Sequence, residues 1–457
     1  MKPVSFAELA AWSGGELVHG QPERMVTRVT TDSRAILPGD LFVALIGDKF
    51  DGHQFVAEAF RQGALAVMVS GEIPADAAPS GAGVIRVGDT LKGLQELSRA
   101  YRSRLPVRVV AITGSNGKTS TKEFLAGVLS KLGPTAKTQG NLNNHIGVPL
   151  TLLSLDESHL WAVVEMGMNH SGELRPLVEL ARPEIGVITQ AGWAHIENFP
   201  DRDAIASEKG EVAYHLSPGG FAVLQGDNPR LRALAGRIRV PVAWVGSGEG
   251  NEFRILTKAV TEQGSRFEVS AGGKSSVFTI PVPGLHMIEN AALAVAVGWK
   301  LGLDAAGIAE GLNGAVLPKG RLALKPRGEG WLLDDTYNAN PDSMAAAFRT
   351  LMSMPGQGRG VALLGSMGEL GTQARELHHW VGTDAAAAGI TCLHAVGPNA
   401  GDLVEGARAG GIPETGCWPD HESLAKGYLQ KSRRNDRIVV KGSHSAAMEK
   451  VLPLLEN

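Results

Sequence analysis

The chain has 457 residues, which at roughly 150 residues per domain predicts about three domains rather than one core. Forty-four Lys and Arg against 47 Asp and Glu leave a net charge of −3, so no global field favours nucleic acid or an anionic membrane. With 43% hydrophobic residues, two cysteines (Cys392 and Cys417), no secretory leader pattern and no run near ~18 apolar residues, disorder, a disulfide framework, export and a transmembrane helix are all unexpected; the composition predicts a cytoplasmic α/β protein.

The first ~85 residues hold strand-like runs at 41–45, 66–69 and 83–87, separated by turns and a helix. An amphipathic stretch over 89–104 ends before Pro106, a natural domain joint. From Val107 the pattern becomes strand (107–112), Gly-rich turn (113–120) and helix (to 132). Buried-type strands follow at 160–165, 185–189 and 221–224. That alternation predicts a parallel sheet covered on both faces. Residues 252–280 read as alternating, hairpin-like strands inserted before a helix at 287–301. A third αβ series begins near Arg321, with strands at 331–334, 361–364, 392–396 and 437–440 and helices at about 342–353, 372–388 and 421–431.

Thr113-Gly-Ser-Asn-Gly-Lys-Thr-Ser120 carries the most chemistry. Gly114 and Gly117 let backbone N–H groups of Ser115 and Asn116 approach phosphate oxygens, and the following helix aims its positive end at the same anion. Lys118 is placed to reach β/γ-phosphates, Thr119 to ligate Mg²⁺ and Ser120 to line the loop. The usual first glycine falls on Ile112, so Gly114 gives a shorter loop. An ATP site is the expectation.

Glu165 ends a buried-type strand, where a carboxylate can hold Mg²⁺ or cap a turn; the pattern leaves both open. His195 follows the next strand by a few residues, as a ligand or an ordinary loop histidine. Lys209 reads locally as a solvated helix lysine. Asn143 and Asn144 sit in an amide-rich turn that serves either substrate oxygens or local caps. Asp334 to Pro341 places polar groups after an apolar strand, as a binding edge or a helix cap. Gly246-Ser-Gly-Glu-Gly250 opens no helix and reads as a turn, His378-His379 reads as a helix surface pair, and no Gly-x-Ser-x-Gly elbow is present.

Taken in order, these segments resemble the Mur ligases, ATP-dependent amide-bond-forming enzymes of peptidoglycan synthesis. The resemblance rests on Thr31-Asp-Ser-Arg34, Pro38 to Leu45, Asp51-Gly-His53, the 113–120 loop, Gly140 to Asn144, Glu165-Met-Gly, Glu208 to Glu211, Gly284 to Asn290, Asp334 to Pro341, Met367 to Gly371 and Val440 to Ser445. It implies three α/β domains: a small UDP-sugar-binding domain (1–88), a central P-loop ATPase-type parallel-sheet domain (89–318) and a C-terminal Rossmann-like domain (319–457). It further implies ATP and Mg²⁺ as cofactors. The substrates would be small molecules, UDP-N-acetylmuramoyl-tripeptide and D-alanyl-D-alanine, used by a monomer.

By the same resemblance Lys118, Glu165, His195 and Lys209 are catalytic, and Thr119, Glu165, His195 and a carbamylated Lys209 hold metal. Asn290, Arg321, Asp335 and Tyr337 join the loop in binding nucleotide. Ser33, Arg34, Asp51, His53, Asn143, Asn144, Asn338, Asn340, Lys441 and His444 are the substrate contacts. His444 stands where relatives usually carry arginine, which implies a weaker, pH-dependent carboxylate contact. Asp227-Asn-Pro-Arg230 copies the string by which the member adding the third amino acid holds a diamino acid, but it follows a central-domain strand and is read as chance. Two alternatives to the D-alanyl-D-alanine reading stand: that third-residue ligase, or a P-loop NTPase or kinase with no amine acceptor.

Overall fold

The computed structural model describes residues 1–47, 50–73 and 78–455. Three sheets organise it. The first has five strands in the order Glu16–His19, Gly83–Arg86, Ala66–Val69, Asp40–Val43 and Arg28–Thr30; only the Glu16–His19 edge pairs antiparallel.

Nine strands form the central sheet: Thr135–Lys137, Trp161–Glu165, Arg108–Thr113, Ile185–Ile188, Phe221–Gln225, Val242–Gly246, Phe253–Thr261, Gly264–Ala271 and Lys274–Ile280. Its first seven run parallel, and the inner strands are buried almost end to end because helices cover both faces. The segment expected as an insertion is instead a continuation of this sheet. Phe253–Thr261 pairs parallel with Val242–Gly246, and two antiparallel strands follow it outward. Alternation was still the right signal there, since Phe267, Val269 and Phe278 point into an aromatic cluster with Phe253 and Trp299.

The third sheet runs Ala323–Arg327, Gly330–Asp335, Arg437–Lys441, Gly360–Gly365, Ile390–Val396 and Glu414–Trp418, antiparallel only at the Ala323–Arg327 edge. Its two edge strands have no counterpart in the sequence reading. Both are half-exposed, and Pro326 or polar residues interrupt their apolar pattern.

The helix Thr90–Arg102 starts at the Asp89 cap and packs on both the first helix, Phe6–Ser13, and the central-sheet helix Gly147–Leu153. Its Tyr101 hydroxyl donates to Leu155 O and accepts from Lys2 N, tying the two sheets together. His378 departs from expectation. It is fully buried, with Nδ1 2.6 Å from Ala374 O and Nε2 accepting the Met367 N–H at 2.8 Å. The helix turns that residue, not its neighbour, onto the loop after Gly360–Gly365. Among the described residues no helix is long and apolar enough to cross a membrane.

Strand order positions the site. Arg108–Thr113 has Trp161–Glu165 on one side and Ile185–Ile188 on the other, so the chain leaves its C-terminal end at a point where connections diverge. Clefts form at such points, and the phosphate loop, Glu165 and the loop carrying His195 all emerge there.

Candidate active site

A cleft of about 410 Å³ opens between the central sheet and the third domain. It is lined by Ser115 to Ser120, Asn143, Asn144, Glu165, His195, Asn290, Arg321, Asp335, Tyr337, Asn338, Asn340 and Lys441, all anticipated from sequence. Glu369 and His286 line it too and were assigned no role. Gly114, Lys209 and His444 do not line it; neither do Ser33, Arg34, Asp51 and His53 of the first domain.

The loop itself is built by backbone geometry. Gly117 adopts φ +81° at the helix start, and a Cβ there would stand 2.2 Å from Asn290 Oδ1. Glycine is therefore required twice over, for its left-handed backbone and for the amide that crosses it. Gly117→Ala should lower nucleotide affinity at least about tenfold, a displacement worth roughly 1.4 kcal/mol, as read by calorimetric titration of ADP. Lys118 Nζ folds back to Gly114 O at 2.8 Å, and burial pulls its ammonium below the ordinary lysine value against the opposing pull of Glu165.

Glu165 is almost fully buried. Its Oε1 accepts from Asn143 Nδ2 at 2.9 Å and from Thr119 Oγ1 at 3.3 Å. Among the described residues its Oε2 has no hydrogen-bond partner; Lys122 Nζ stands 3.5 Å away. Thr119 Oγ1 in turn accepts from Arg321 Nη2 at 3.1 Å. Lys122, itself 1% exposed, also lies 3.5 Å from Glu123, and Glu123 pairs with Lys137. Nothing in the sequence singled out Lys122, since helix position alone does not tell a buried cation from a solvated one.

Lys209 is not solvated. It is 1% exposed on the helix Arg202–Tyr214, and among the described residues its Nζ makes no hydrogen bond or ion pair. Burial, reinforced by the charge of Lys118, pushes its amine well below the usual lysine range. Neighbouring Glu208 is engaged elsewhere, accepting the N–H groups of Gly172 and Leu174 at 2.9 Å each.

The third domain clasps the phosphate loop. Asn116 and Asn340 exchange two amide hydrogen bonds of 3.1 and 2.8 Å, and Asp342 accepts the Trp193 N–H at 2.9 Å. The Arg321 guanidinium lies 4.1 Å over the Tyr337 ring. Asn340 meanwhile caps the helix Pro341–Ser353, so cap and binding edge coincide. Lys441, anticipated as a substrate contact, is buried and bound to Asp335 Oδ2 at 2.5 Å and to Asn338 O at 2.8 Å. Its charge holds the Asp335 carboxylate, leaving little to offer a second anion. Asn144 caps the turn before Gly147–Leu153 by accepting from Ile146 and Gly147 N–H groups.

His195 takes a left-handed conformation (φ +63°), and its Nδ1 lies 2.7 Å from Glu369 Oε2. That contact holds the Glu369 carboxyl below its ordinary range. His444 is exposed, 6.2 Å in ring centroid from Tyr337. In the first domain Arg34 forks onto Asp32 with two 2.9 Å bonds, and His53 bridges Asp51 and the Ser70 N–H. Asp227 anchors the 247–251 turn through Ser247, Gly248 and Asn251, Asn228 caps a short helix and Arg230 pairs with Asp203, so local structure accounts for that string.

Cys392, His394 and Glu414 cluster in the third domain at metal-like distances. His394 Nδ1 accepts the Trp418 indole N–H, leaving the proton on its other nitrogen. Burial pushes the Cys392 thiol up to about 12, and Arg359 holds Glu414 at 2.7 Å. These groups fit a hydrogen-bonded core, not a cation site.

A phosphate loop at a sheet switch point, a buried carboxylate beside it and a third domain clasped over both define a P-loop enzyme that works between domains. The chain belongs to the Mur ligase family. It matches the Mur ligase middle domain over residues 112–298, the glutamate ligase domain over 320–444 and the catalytic domain of the family over 25–107. It is 37% identical to the UDP-N-acetylmuramoyl-tripeptide–D-alanyl-D-alanine ligase of Escherichia coli K12, over 100% of this chain and 99% of that one. The enzyme of the same name from Bacillus subtilis is 34% identical, over 96% and 95% of the two chains. Among solved structures, MurF from Acinetobacter baumannii superposes with a TM-score of 0.91 at 32% identity, each chain fully covered. MurF from Thermotoga maritima in complex with ADP superposes at 0.84 and 27% identity, over 94% and 97% of the chains.

Proposed function

We infer that the chain is an ATP-dependent ligase that joins D-alanyl-D-alanine to UDP-N-acetylmuramoyl-tripeptide, forming the pentapeptide precursor of peptidoglycan. The observation that carries the reading is the one cleft in which Lys118, Arg321 and Glu165 meet. The full-length likeness to ligases of that name supplies the substrates.

The tripeptide carboxylate attacks the γ-phosphorus of ATP, and ADP leaves an acyl phosphate. The amine of D-alanyl-D-alanine then attacks the acyl carbon, loses a proton and expels phosphate. Two anions must meet in the first step, so Lys118 and Arg321 supply positive charge where the repulsion develops. The Asn116–Asn340 and Asp342–Trp193 contacts keep water from an intermediate that hydrolyses readily. Thr119 Oγ1, Glu165 Oε2 and His195 offer hard oxygen and imidazole donors, and Glu165 Oε2, though 3.5 Å from Lys122, accepts no hydrogen bond among the described residues, a set that suits Mg²⁺. Mg²⁺ held there would neutralise phosphate charge.

Segments 1–88, 89–318 and 319–457 serve as UDP-sugar, ATP and ligase domains, with Ser33, Arg34, Asp51 and His53 directed to the UDP portion. The protein acts as a monomer on nucleotide-linked precursors in the cytoplasm. Lys209, buried and with its amine held below the usual lysine range, is a nucleophile suited to take up CO₂; the resulting carbamate is an anion suited to a second Mg²⁺. A carbamate resonance in protein incubated with ¹³C-bicarbonate, absent from Lys209→Met, is the expected result.

Phosphate release that requires both UDP-N-acetylmuramoyl-tripeptide and D-alanyl-D-alanine is expected. Release with the nucleotide sugar alone, unchanged by the dipeptide, would return the protein to the kinase or NTPase class. Release driven instead by a diamino acid and the dipeptide-bearing nucleotide would mark it as a third-residue ligase.

A further inference from the structure

Glu369 belongs to no assigned site, yet it meets His195 across a domain boundary. Its carboxylate comes from the loop after the strand Gly360–Gly365, and His195 from the loop after Ile185–Ile188. They approach to 2.7 Å. Both residues are non-glycine and left-handed, at φ +61° and +63°. Such backbone costs on the order of 1–3 kcal/mol each and persists where the surroundings impose it. Here two contacts do so: the Glu197 N–H donates to Glu369 O at 3.3 Å, and buried His378 grips the Met367 N–H two residues earlier. The two strained loops thus face each other in one register.

We propose that Glu369 is a positioning residue that orients His195 toward the metal, so that the metal site is completed only when the third domain is docked. The proposal rests on the reading of His195 as a ligand. The Glu369 carboxylate stands 2.7 Å from Nδ1, which makes no aligned hydrogen bond among the described residues; a small turn of the ring brings Nδ1–H onto it and leaves Nε2 as the lone-pair nitrogen, the arrangement by which carboxylates hold metal-binding histidines. Glu369 touches no reacting atom in this role.

The test is Mn²⁺ binding to full-length protein with ADP, followed by electron paramagnetic resonance, in a cycle of His195→Ala, Glu369→Gln and the double variant. Glu369→Gln should weaken Mn²⁺ at least about tenfold, the usual effect of losing such a partner, while ADP binding without metal is unchanged. Glu369→Asp should recover part of the loss. In the His195→Ala background, Glu369→Gln should add nothing. Three results overturn the proposal: unaltered Mn²⁺ affinity in Glu369→Gln, an equal loss in the His195→Ala background, or weakened metal-free ADP binding. Unaltered Mn²⁺ affinity in His195→Ala would instead remove His195 from the ligands, which is the failure of the underlying reading.

Discussion

Lys118→Ala should lower acyl-phosphate formation about 10²–10³-fold while the protein stays folded, the loss expected when one preorganised cationic donor is removed from a transition state. Among the described residues the ammonium has only a carbonyl, Gly114 O, as hydrogen-bond acceptor, and burial already disfavours its charge. A phosphate anion is a better partner than that carbonyl, so the side chain exchanges one for the other at little cost. The same geometry limits the structural effect: one ordinary hydrogen bond is lost, about 1 kcal/mol. Lys118→Arg should not restore the rate, since the guanidinium fork is bulkier and cannot fold into the same turn. Single-turnover measurement of ADP formation checks the rate, and denaturant unfolding checks the fold. Turnover within threefold of the parent would show that the loop does not hold the transferred phosphate.

Lys122→Met should do the reverse, costing stability first. The ammonium sits almost wholly out of water between Glu165 and Glu123. Removing one partner of a buried charge cluster typically costs about 3–5 kcal/mol, because the remaining carboxylate is left uncompensated. Glu123 keeps Lys137, so the burden falls on Glu165. The uncompensated Glu165 would then no longer be held in place by its cation, and metal-dependent nucleotide binding should weaken. The double variant Lys122→Met, Glu165→Gln removes both charges and should recover most of the stability while remaining inactive. Urea unfolding with an unchanged slope measures the difference, and a loss under about 1 kcal/mol in the single variant would show the cluster to be hydrated.

Both expectations concern one helix turn, yet only one was visible beforehand. Lys118 follows a glycine-rich turn between strand and helix, a local pattern whose chemistry follows from backbone geometry. Lys122 lies four residues on in a helix buried on nearly every side. What makes it matter is the approach of Glu165 from a strand more than forty residues away. Glu369 and His378 differ from the anticipated residues for the same reason: each acts through a partner on another element.

By itself, then, the order of apolar runs and glycine turns determined the alternation of strands and helices, the phosphate loop and the residues around it, because these depend on neighbours a few positions apart. Tertiary structure alone decided that 253–280 extends the central sheet and that Lys209 is buried. It also decided that Lys441 belongs to Asp335 and that the third domain grips the loop through Asn340 and Asp342. Desolvation, charge pairing and edge-strand registry arise from segments brought together over long stretches of chain, and no local pattern encodes them.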